Sequence, residues 1–280
     1  MYLSHFALRE LPFNITPDTQ FIFAGNSHQE ALNTLLISIR NGEGFVKITG
    51  EVGAGKTLLC RRFLSALSGK YLTAYLPNPH VEPRTLLLAI AEELGLKLDL
   101  NDHPFRLLKG INKALLDQAR QGKPVVLCID EAQSIPLESM EALRLISNLE
   151  TEKRKLLHIV LFGQPELDKK LAEKSVRQLR QRITFHYRLK GLLRDELELY
   201  LSHRLRVAGY RGNKLFSDSA IKLIHRASNG IPRVINILAH KALLAAYGEG
   251  KYLVDANHLR KAVKDTEDAH LPWWRLWAPV

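Results

Sequence analysis

Eight residues constrain this chain more than any others. Gly50-Glu51-Val52-Gly53-Ala54-Gly55-Lys56-Thr57 fit G-x-x-x-x-G-K-[ST], and they join a short apolar run, FVKIT (45–49), to the helically spaced stretch TLLCRRFLSAL. Glycines let consecutive backbone N–H groups curl around an anion where side chains would clash. A helix that starts at the loop aims its positive end at the same anion. Lys56 is then placed to reach β- and γ-phosphates, and the Thr57 hydroxyl to ligate Mg²⁺. Gly50 to Thr57, with Leu58 behind them, are the expected binding set for ATP and Mg²⁺.

A second cluster follows VVLCI (125–129), where Asp130 and Glu131 stand at the end of an apolar strand. The carboxyl edge of a parallel sheet is where such sheets bind ligands. Asp130 is expected to hold Mg²⁺ and Glu131 to act as general base on the attacking water. A further strand, YLTAYL (71–76), intervenes in chain order between the loop and this pair. Capping of the next helix, near Ile135, is the purely structural alternative for the two acids.

The remaining pattern alternates strands with helices. Helical spacing covers 26–39, 83–94, 105–121 and 137–149, and LHIVLF (157–162) and ITFHYRL (183–189) complete a set of five strands. Alternation of this kind predicts an α/β fold with a parallel five-stranded sheet flanked by helices. After Leu193 only helices follow, at 194–208, 217–228, 232–247 and 256–268. The expected organisation is an extended N-terminal arm (1–25), a nucleotide-binding α/β domain (26–191), a helical lid (192–268) and a tail (269–280).

Composition excludes several classes. With 46% hydrophobic and 25% charged residues, the chain is neither disordered nor low-complexity. No apolar run approaches the roughly 18–20 residues of a membrane helix, and the N-terminus lacks a signal-peptide pattern. Cys60 and Cys128 lie in apolar stretches without metal spacing, as buried thiols of a reducing cytoplasm would. The eleven histidines show no zinc spacing. The net charge of +11 is uneven: residues 1–150 carry 15 Lys/Arg against 16 Asp/Glu, and residues 151–280 carry 25 against 13. The second half therefore expects an anionic partner, or presents a solvated basic face.

The phosphate loop, IDEAQ (129–133) and the helical C-terminal part together resemble the AAA+ P-loop NTPases, in which these two segments are the Walker A and Walker B motifs. The opening YLSHFALRELPFNITPD, with GEVGAGKT, LFGQPEL (161–167), LRQRI (179–183) and NGIPRVIN (229–236), is similar to the ExeA/GspA family of secretion-pathway ATPases. Within it, the short chain is most similar to the accessory ATPase of MSHA-type pilus biogenesis. The resemblance implies ATP hydrolysis by a homo-oligomer with ATP at its subunit interfaces, and work on envelope proteins of a pilus or type II secretion apparatus. It implies a sensor-1 role for Gln164, an amide able to bond the γ-phosphate or orient the lytic water. Arg182 takes the place of the arginine finger, with Arg177 and Arg180 as alternatives, and Arg233 that of sensor 2. A cytoplasmic location follows.

Lys153, Arg154, Lys155, Lys169, Lys170 and Lys174 are left without a nucleotide role; a subunit face or a nucleic-acid track would employ them. Nucleic acid is the less favoured, because no helix-turn-helix or base-stacking motif accompanies them. The tail LPWWRLW (271–277) holds all three tryptophans, suited to docking a partner or touching the inner-membrane surface peripherally, or to folding back on the lid. Two rival functions share these features: a DNA-binding AAA+ regulator of the transposition-ATPase type, and a nucleotide-gated scaffold with little hydrolysis.

Overall fold

The computed structural model describes residues 2–16, 19–21, 23, 25–97, 103–150 and 155–270. The chain divides into two compact units. One comprises 28–51 and 56–189; the other comprises 1–27, 52–55 and 190–280.

The first unit is α/β. In chain order its elements are α1 (Asn26–Arg40), β1 (Phe45–Thr49), α2 (Lys56–Leu67), β2 (Leu72–Leu76), α3 (Pro83–Glu93), α4 (Pro104–Arg120) and β3 (Val125–Ile129). There follow α5 (Leu137–Ile146), β4 (Leu157–Gly163), α6 (Glu166–Leu171), α7 (Arg177–Arg180) and β5 (Ile183–Arg188). The five strands pair in parallel in the order β2-β3-β4-β1-β5. Every residue of β3 and β4 is buried, which is why β3 is an unbroken apolar run and β4 is interrupted only by His158. The edge strand β5 alternates instead, with Thr184, His186 and Arg188 exposed. His158, the polar member of β4, is accommodated by its Nδ1 at 2.7 Å from the Glu43 carbonyl, and burial holds its pKa down.

Although β2 follows the loop in chain order, it lies at the outer edge; the strand between β1 and β3 in space is β4. Register pairs Thr49 with Gly163 and Leu161 with Ile129. The residues after these strand ends, Gly50, Gln164 and Asp130, therefore emerge side by side at the carboxyl edge of the sheet. α6 and α7, six and four residues long, were not foreseen in the sequence.

The second unit is helical: α8 (Arg194–Val207), α9 (Asp218–Ser228), α10 (Pro232–Gly248) and α11 (Ala256–Lys264). Ser217 caps α9 by accepting from the Ala220 N–H, and Asp255 caps α11. The N-terminal segment is folded rather than extended. Tyr2, Phe6, Leu8, Phe13 and Phe21 are buried in one core with Leu197, Leu201, Ile224 and Leu238. Arg204 fastens the segment: Nε donates to the Pro12 carbonyl (2.6 Å) and Nη2 to that of Asn14 (3.1 Å). Its guanidinium also lies 4.8 Å from the Phe21 ring centroid. The tryptophan tail lies outside the described residues, as do Lys153 and Arg154.

Candidate nucleotide site

The site grows from three strand ends. β1 runs into the glycine loop, and α2 starts at Lys56. The Lys56 ammonium is buried and donates to the carbonyls of Gly50 (2.9 Å) and Glu51 (3.1 Å). Burial lowers its pKa, while the carboxylates of Glu131, Asp130, Glu51 and Glu166 oppose that shift. The two carbonyls hold the ammonium in place, and the surrounding carboxylates offset part of the cost of its desolvation.

At the loop tip Gly53 has φ +79. A Cβ there would fall 2.3 Å from Cβ of Arg233, whose backbone N–H donates to the Gly53 carbonyl at 3.3 Å. Both residues belong to the helical unit. Pro232 in the first turn of α10 supplies the fixed φ from which Arg233 is presented.

Asp130 follows β3 and is buried at 2% exposure. Its Oδ2 accepts from the Thr57 hydroxyl at 2.7 Å and from Tyr75 at 3.4 Å. Burial, then the Asp130 charge, pushes the Tyr75 phenol up to about 12, so it remains a donor at neutral pH. A hydroxyl and a buried carboxylate in contact are the hard oxygen ligands that Mg²⁺ takes. The residues present fit that ion.

Glu131 adopts the left-handed conformation, with φ 50 and ψ 37. Its Oε2 accepts from the side-chain amides of Gln133 (2.5 Å) and Gln164 (3.1 Å). The Gln164 backbone N–H in turn donates to Gln133 Oε1 at 3.0 Å. Gln164, which ends the run from β4, is thus in contact with the carboxylate that sequence reading placed as base.

Two further residues escaped that reading. Tyr75 and Lys170 carry no local motif; Lys170 reaches the Gln133 carbonyl from 37 positions away. Gln133 was within IDEAQ but had no assigned role. The arginines separate clearly. Arg182 donates to the Arg144 carbonyl (3.2 Å) and the Ser147 hydroxyl (2.6 Å) at the end of α5, whereas Arg177 and Arg180 are exposed. Of the lysines, Lys155 pairs with Glu150, and Lys169 and Lys174 are exposed. Cys60 and Cys128 are both buried. The neighbouring Cys128 thiol, and then burial, push the Cys60 thiol up, away from reactivity. Among the described residues no cluster of His, Cys, Asp or Glu suits a further metal, and no helix is long and apolar enough to cross a membrane.

Residues 39–171 match the AAA domain family. Over 254 residues the chain is 41% identical to general secretion pathway protein A of Aeromonas hydrophila, covering 91% of this chain. The chain carries an AAA domain and is a homologue of general secretion pathway protein A. It spans 46% of that relative's length. A shorter similarity, 30% over 99 residues, links it to the Mu-like prophage FluMu DNA transposition protein B of Haemophilus influenzae, covering 35% of this chain and 32% of that protein. Among solved structures, the ORC2 protein of Aeropyrum pernix superposes with a TM-score of 0.63 at 19% identity, over 95% of this chain and 75% of that one. That likeness places the AAA domain in the P-loop NTPase fold.

Proposed function

We propose that this AAA-domain protein binds ATP with Mg²⁺ and hydrolyses it. The observation that carries the reading is the Thr57–Asp130 contact, which joins the start of α2 to the end of β3 with Glu131 as the next residue. In this reading Gly50 to Leu58 wrap the phosphates and Lys56 neutralises the β- and γ-phosphate charge. Thr57 and Asp130 hold Mg²⁺, which supplies further neutralisation of phosphate oxygens. Glu131 takes the proton of the attacking water and Gln164 orients that water. Arg233 contacts phosphate from the start of α10.

The protein works as a homo-oligomer with ATP between subunits, one neighbour supplying an arginine. Arg182 was the first choice in the sequence; its bonds to α5 favour the exposed Arg177 or Arg180 for a contact in trans. By its likeness to general secretion pathway protein A, it serves a type II secretion apparatus or an MSHA-type pilus from the cytoplasmic side of the inner membrane. The tryptophan tail is the contact offered to that machinery or membrane surface.

The test is phosphate release and ATP binding for wild type and Glu131→Gln. The variant should bind ATP with Mg²⁺ normally and lose turnover by about 10²–10⁴-fold. Unchanged turnover removes Glu131 from the reaction.

The similarity to a DNA transposition protein and the basic second half support a second reading, DNA binding. It requires affinity for duplex DNA that falls steeply between about 50 and 200 mM salt.

A further inference from the structure

Glu131 is held by more than its own strand. The left-handed backbone that it adopts is one a non-glycine residue keeps only when its surroundings enforce it. The enforcing contacts come from the turn Ala132–Ser134 and from α6. The Lys170 ammonium donates to the carbonyls of Gln133 and Ile135, both at 2.7 Å, clamping the turn that begins at Glu131. With that backbone fixed, the Gln133 amide has only one satisfactory orientation. Its Oε1 must face the Gln164 N–H, so its Nε2 must face Glu131 Oε2. A flipped amide would set oxygen against carboxylate and NH₂ against N–H.

Two amide donors therefore occupy Oε2, and Oε1 accepts no hydrogen bond among the described residues. We infer that Gln133 and Lys170 are positioning residues which fix the Glu131 carboxylate so that Oε1 is the oxygen presented to the attacking water. The inference rests on the reading of Glu131 as general base. Neither residue touches the reacting atoms. Lys170 acts through the turn, and Gln133 through the carboxylate.

The experiment compares Lys170→Met, Lys170→Arg, Gln133→Leu and Glu131→Gln in the full chain at matched concentration, measuring kcat, KM, ATP affinity with Mg²⁺, and Tm. Misplacing a reacting group costs far more in turnover than in binding. Lys170→Met and Gln133→Leu should each lose roughly tenfold in kcat, with KM and ATP affinity held within about twofold. Lys170→Arg, which can donate to both carbonyls, should recover most of the loss. In a Glu131→Gln background, Lys170→Met should cost nothing further. If Lys170→Met and Gln133→Leu turn over like wild type while Glu131→Gln is inactive, the positioning role is wrong and the base assignment survives. If Glu131→Gln itself keeps full turnover, the base assignment fails. Equal losses of kcat and ATP affinity with a lowered Tm, or no recovery in Lys170→Arg, would make the clamp merely structural. Gln133→Leu keeps the question answerable if Lys170→Met does not fold.

Discussion

The Thr57 hydroxyl and Asp130 Oδ2 meet at 2.7 Å, although 73 positions separate them in the chain. One donor from a helix start and one acceptor from a strand end thereby join two segments that have no local reason to touch. Thr57→Ala removes the donor and one proposed ligand of Mg²⁺. ATP affinity should fall in the presence of Mg²⁺ and change little in EDTA, whereas Thr57→Ser should behave as wild type. Titration of a fluorescent ATP analogue with and without Mg²⁺ measures this.

Gly53 is constrained twice, by φ +79 and by the neighbouring Arg233 Cβ. Left-handed backbone costs a residue with a Cβ about 1–2 kcal/mol, and the clash at 2.3 Å adds to it because backbone must shift. Gly53→Ala should lower Tm and weaken ATP binding together. Arg233→Ala, which clears no Cβ from α10, should not rescue it. Thermal melts and ATP titration of the single and double variants decide the point.

Arg182 and Arg180 should part company under mutation. Arg182 donates to two oxygens at the end of α5, where a cation also suits the negative helix terminus. Arg182→Ala should therefore destabilise the α/β unit by about 1–2 kcal/mol. Arg180→Ala, an exposed change, should leave Tm unaltered and flatten the rise of turnover with protein concentration if Arg180 acts on a neighbour's ATP. Urea melts and concentration-dependent phosphate release separate the two effects.

Glu249 accepts from Lys251, Lys261 and His258, and these bonds hold its pKa down at about 2, against an ordinary value of 4.5. A folded pKa below the unfolded one means that the contribution is present above pH 4.5 and is lost as pH falls toward 2. Glu249→Gln should melt below wild type at pH 6, and the gap should close as pH falls through that window. Tm measured from pH 6 to 2 checks the sign.

Much of the α/β unit was legible because burial on both faces leaves a simple mark. VVLCI is a continuous apolar run and LHIVLF one broken only by His158, and both are central strands. The glycine loop was equally plain, since its residue types have a steric reason. Position within the sheet was not: nothing local in YLTAYL says that it takes the edge while β4 enters between β1 and β3. α6 and α7 are too short to establish a helical period. Arg182 looked free because its acceptors, Arg144 and Ser147, are set by the packing of α5 and not by spacing. Lys170 stood among surface lysines for the same reason, and only the folded chain shows its two carbonyl partners.

The attachment of the N-terminal segment by Arg204 has a bearing on synthesis. Tyr2, Phe6 and Phe13 are made long before α8 to α11, which build the core that buries them. Arg204 follows Pro12 by 192 positions, an interval of roughly 10–40 s at translation rates of about 5–20 residues per second. All five strands of the α/β unit, β1 to β5, are made within that interval. The helical unit can therefore complete its core only after α8 to α11 have been made, behind the whole of the α/β unit.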